Sequence, residues 1–174
     1  MGNAAWRRWR MEPMETLNWI KDLVRAEQDM EESGMIQITT GFEPEKHLYK
    51  ETLLFLSALK RDFVDASTAF NQMKGSPMGR IKIYSISQTQ ADFMLFRNGF
   101  KLIFSMKQPG TISMKFHRAQ GLNPAFQSGE SDEEFLMAKW GPFGDLVWSY
   151  NNQPIKVDYL IKYYTTRFVH ESAK

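Results

Sequence analysis

The sequence predicts an α+β fold: an antiparallel β-meander with a long helix packed on one face, plus flanking N- and C-terminal helices. Three observations predict it. Apolar residues recur at helical spacing from about Pro44 to Lys74. The spacing switches to alternation from Arg80 onward, and Asn98-Gly99 then joins two alternating runs as a tight hairpin. At 174 residues, with 43% apolar residues, 13 Phe and 5 Trp, the chain holds enough bulky material for one hydrophobic core.

Residues 1–12 read as an Arg/Trp leader ahead of a single α+β domain over 13–174. Arg7-Arg8 lacks the apolar stretch of a twin-arginine signal, and Trp6 stands where a myristoylation pattern needs Ser or Thr. The leader is either uncommitted or an anchor, in which Trp6, Trp9 and the arginines suit lipid headgroups, phosphates or an acidic partner. Pro13 with Glu12 and Glu15 opens the first helix, whose stripe is Leu17, Ile20, Leu23 and Val24. Ser33-Gly34 ends it, and Met35 to Thr40 alternates as a short strand.

The long helix carries Leu56, Leu59, Phe63, Ala66, Phe70 and Met73 at heptad spacing. That pattern fits a helix laid across a sheet, or a homo-oligomer seam through residues 56–73. Gly75 and Pro77 stop it. Strands then follow at Arg80 to Ile86, Asp92 to Arg97, Phe100 to Lys107 and Thr111 to Phe116. Residues 119–134 read as a polar loop or lid, and Phe135 to Trp140 as a short helix or strand. A second hairpin turns at Asn151-Asn152 between Leu146 to Tyr150 and Pro154 to Val157. Asp158 is placed to cap the last helix, whose core face is Leu160, Ile161, Tyr164 and Phe168.

The chain has no cysteine, which excludes disulfides, thiolate metal sites and cysteine nucleophiles and fits a cytoplasmic location. No apolar run approaches the length of a membrane-spanning helix. No motif calls for a cofactor. His47 and Glu51 have the i, i+4 spacing of metal ligands but no third ligand, and read as an exposed helical pair. His117 and His170 have no nucleophile or carboxylate set beside them by motif. The glycines of 75–79 lack phosphate-loop spacing, and the acids at 130–134 read as a solvated loop. No catalytic residue is assigned, and no metal site.

Charge is uneven beneath a net of +2. Lys60 to Arg118 holds ten basic residues and three acidic ones, whereas Glu12 to Glu51 holds ten acidic and four basic. With Phe100, Leu102, Phe104 and Met106 facing the core, alternation sends Lys101 and Lys107 outward, together with Lys82, Tyr84, Lys115 and His117. Those six residues form a candidate anion-binding face, with one ring among the charges where stacking platforms offer two or three. A lysine-rich outer face is also how sheets are kept soluble and unpaired. On the last helix Tyr159 and Tyr163 lie off the core stripe, and grouped surface aromatics anchor protein interfaces.

Three functions follow in order. The first is a protein-interaction module or assembly subunit with no evident catalysis, using Tyr159 and Tyr163 and the leader's Trp6 and Trp9. The second is nucleic-acid or other polyanion binding through the lysine face. The third is a small-ligand binder or enzyme with a site under the 119–134 loop.

Overall fold

The computed structural model describes residues 13–34, 44–86, 91–118 and 132–173. The leader with Trp6 and Trp9, the expected strand at 35–40 and the loop at 119–131 lie outside them. By its internal contacts the chain divides into two compact units, Met1–Pro44 and Glu45–Lys174.

In the first unit, helix α1 spans Pro13–Ser33. It ends as the sequence indicates: Gly34 takes a φ of 64° and its N–H donates to Met30 O at 3.0 Å. The stripe of Leu17, Ile20, Leu23 and Val24 is exposed along its whole length.

The second unit holds the core. Helix α2 (Pro44–Lys74) leads into seven strands: β1 Lys82–Ser85, β2 Phe93–Arg97, β3 Phe100–Gln108, β4 Thr111–Arg118, β5 Glu133–Trp140, β6 Leu146–Tyr150 and β7 Gln153–Pro154. Helix α3 (Val157–Ser172) closes the chain. The strands lie in sequence order, each antiparallel to its neighbours, so the sheet is an uninterrupted meander. Two turns have the backbone that their residues favour. Asn98 and Gly99 sit at φ 51° and 75°, and Asn151 and Asn152 at 47° and 66°, the all-positive pattern that matches strand twist.

Both helices pack on one face. Phe63 of α2 meets Phe93 and Phe104, while Tyr164 and Phe168 of α3 meet Phe104, Phe116 and Phe100. Leu56, Leu59, Phe63, Leu95, Leu102, Phe104, Ile112, Met114, Leu136 and Phe168 lose all solvent contact. Among the described residues, no helix is long and apolar enough to cross a membrane.

Several local expectations need correction. The buried line of α2 runs Thr52, Leu56, Leu59, Phe63 and Ser67. A straight helix turns every 3.6 residues, so the line drifts off the strict heptad and leaves Ala66 and Phe70 half-buried and Met73 exposed. The stretch from Phe135 to Trp140 is strand, extended back to Glu133 and paired with both β4 and β6. Beyond Asn152 only Gln153 and Pro154 are strand, because Val157 already belongs to α3. Asp158 is in that helix's first turn, whereas the cap position is Lys156, which makes no side-chain capping bond.

Candidate functional site

Two surfaces of the second unit gather the residues singled out by the sequence. The first lies on α3. Leu160, Tyr164 and Phe168 recur every four residues and face the sheet, which turns Tyr159 and Tyr163 outward. They are 68% and 58% exposed, large values for rings of this size. The Tyr163 ring stands edge-on to buried Tyr164, their centroids 5.1 Å apart.

A groove runs along each side of this pair. One, of about 360 Å³, is floored by Leu136, Leu160 and Tyr164 and walled by Tyr150, Pro154 and Ile155. The other, a shallow depression of about 510 Å³, is lined by α3 itself, with Lys162, Thr166, Arg167, His170 and Glu171 around the two rings. Tyr159 and Tyr163 line both, so they form a ridge between two depressions. Lys156 and Lys162 add positive charge along it.

The ridge is set on a rigid base. Arg167 Nη1 donates to Glu134 Oε1 at 2.8 Å, Nη2 donates to Asp132 Oδ2 at 3.2 Å, and the guanidinium lies over the Phe116 ring at 4.2 Å. The Tyr164 hydroxyl donates to the other oxygen of Glu134. Burial first, and the Glu134 carboxylate second, push Tyr164 far above the ordinary tyrosine range. Burial, the largest single influence, would lower the Arg167 guanidinium, but Glu134 with Tyr163 and Asp132 together outweigh it and the net shift is upward. Glu134, with Glu133 beside it, thus belongs to strand β5 and not to a solvated loop, while Asp132 stays exposed and Glu130 lies outside the described residues. Among the described residues no three His, Asp or Glu side chains are grouped to hold a metal ion.

The second surface is the sheet face opposite the helices. Lys82, Tyr84, Lys101, Lys107, Lys115 and His117 all lie on it. One row across the strands reads Tyr84, Met94, Ile103, Lys115 and Glu133. The next reads Lys82, Phe96, Lys101 and His117. A third places Phe135 beside Ser113 and Ser105. Among the described residues the face thus has three rings and not one. Phe96 follows from the alternation of β2, and Phe135 was hidden because its segment read equally as helix or strand. Glu133 is the one acidic side chain in these rows. It accepts a hydrogen bond from Ser113 Oγ at 2.7 Å and pairs with Lys107 Nζ at 2.9 Å. Ser113, with Lys107 second, holds its carboxyl below the usual carboxylate range.

The histidines are scattered. His47 stacks on Trp140 at 5.8 Å and borders a cavity of about 430 Å³ with Glu51, Asp145 and Trp148. That pair is half-buried beside a cavity and not an exposed helical pair. His170 borders the α3 groove, and His117 is on the open sheet face. Comparison with protein-family models, with curated proteins and with solved structures finds no match to this chain.

Proposed function

We propose that this chain is a protein-interaction module that docks an extended segment of another protein across the Tyr159/Tyr163 ridge. The observation that carries the reading is the pair of outward rings flanked by two grooves. Tyrosines supply large, rigid contact area with few torsions to freeze, which is why they anchor interfaces. A groove with Tyr150, Pro154 and Ile155 on its wall suits aliphatic or proline side chains of an extended peptide. Lys156 and Lys162 along the same surface favour an acidic one.

The test is selection of random peptides on the immobilised chain, wild type beside Tyr159→Ala/Tyr163→Ala. Acidic sequences with proline or aliphatic residues should be enriched on the wild type. Their affinity should fall roughly 30-fold or more in the double variant, as loss of an interface anchor does. A selection that enriches nothing, or peptides that bind both proteins alike, would remove the proposal.

A further inference from the structure

We infer that the open face of the sheet is a second, separate binding surface whose ligand is a single-stranded nucleic acid. The inference rests on the arrangement of rings and charges on that face, not on the α3 ridge. Tyr84 and Phe96 meet edge-to-face at 6.4 Å on the β1–β2 side, and Tyr84 is 43% exposed. Phe135, 41% exposed, lies on β5. Four strand spacings separate Tyr84 from Phe135, about 19 Å at the usual interstrand distance. Lys101 and Lys115 stand between them and Lys82 beside Tyr84, in the rows already described.

This layout is the one that single strands need. Phosphates are met by ammonium groups spread across a plane, and bases stack on rings at both ends of it. A face built only for solubility has no use for Tyr84, Phe96 and Phe135 on it with Met94 and Ile103. An acidic protein would satisfy the lysines but would leave the rings without flat partners. The face's acid, Glu133, is already neutralised by Lys107 and does not repel a phosphate backbone.

The experiment uses the full chain and a labelled 12-nucleotide strand, DNA and RNA in turn, followed by fluorescence anisotropy. Binding is expected at 50 mM salt, tighter than to a duplex of the same length or to polyglutamate. With three lysine–phosphate contacts, affinity should fall roughly 20-fold between 50 and 200 mM salt, since single strands lose about 0.7 log units per contact per decade of salt. Lys82→Ala/Lys101→Ala/Lys115→Ala should flatten that dependence. Tyr84→Ala/Phe135→Ala should weaken binding about tenfold with the salt dependence kept, because stacking is insensitive to counterions. Tyr84→Phe retains the ring and should bind as the wild type does, which separates stacking from loss of fold. Tyr159→Ala/Tyr163→Ala should leave strand binding unchanged. No binding at 50 mM salt overturns the inference. Equal affinity for duplex or polyglutamate, or indifference to the ring variant, overturns it as well.

Discussion

At the scale of single residues, the sheet is fastened to its helices by a few buried polar contacts. The Gly110 N–H donates to Thr52 Oγ1 at 2.8 Å, and that hydroxyl donates to Leu48 O at 2.6 Å. A Cβ at Gly110 would stand 3.1 Å from the Leu48 side chain, on a backbone with φ of 81°. Gly110→Ala should therefore cost about 1–2 kcal/mol from the left-handed backbone alone, read by thermal or urea unfolding. Thr52→Val strands a buried N–H and should cost about 1–3 kcal/mol in the same measurement. Arg97, an arginine buried on the core side of β2, is the second fastening. Its Nε donates to Gly79 O at 2.7 Å, and its Nη1 donates to Val169 O and Ser172 Oγ at 3.0 and 2.9 Å. The guanidinium also lies over the Phe70 ring at 5.5 Å. One cation thus ties β2 to the end of α2 and the last turn of α3, whose carbonyls favour positive charge. Arg97→Met keeps much of the stem but orphans those acceptors. It should lower stability by on the order of 3 kcal/mol, more than any change at the exposed lysines.

At the scale of elements, β5 shows how a polar strand is stabilised on both faces. On its helix side Glu134 is held by Tyr164 and Arg167, and on its open side Glu133 is held by Ser113 and Lys107. Because the folded protein holds Glu133 below its unfolded pKa, its contribution is complete above the ordinary carboxylate range. It is lost as pH falls through the folded value. Unfolding measured from pH 7 downward should accordingly steepen below the usual glutamate range, and Glu133→Gln should reduce that steepening. An unchanged acid limb in the variant would show that the pair contributes nothing. Helix α2 is the other decisive element. Leu59 sits at the centre of its buried line with no solvent contact, and Leu59→Ala should cost about 2–5 kcal/mol in denaturant unfolding.

At the scale of the whole molecule, the second unit is, among its described residues, a sheet with one face covered by two helices and the other face open. All of its core residues lie within Glu45–Lys174. A protein of residues 45–174 should thus unfold in a single cooperative thermal transition, since it carries every core residue among those described. Loss of cooperativity on removing residues 1–44 would contradict that. The sequence by itself determined the meander, because alternation has a period of two and Asn-Gly and Asn-Asn supply the positive backbone angles of tight turns. It also determined which side of β3 and β4 meets the core, and that Tyr159 and Tyr163 leave the α3 stripe. These are local properties, carried by residues within a few positions of one another. What tertiary structure alone decided is which distant residues meet. The three-way contact of Arg97 and the capture of Glu134 by α3 depend on partners far along the chain. The grooves beside the tyrosine ridge were hidden for the same reason, whereas Phe96 was legible in the alternation of β2 and Phe135 was lost to the helix-or-strand ambiguity of its segment. A surface is made by strands lying side by side, and adjacency across a sheet is set by packing, not by the spacing of residues along the chain.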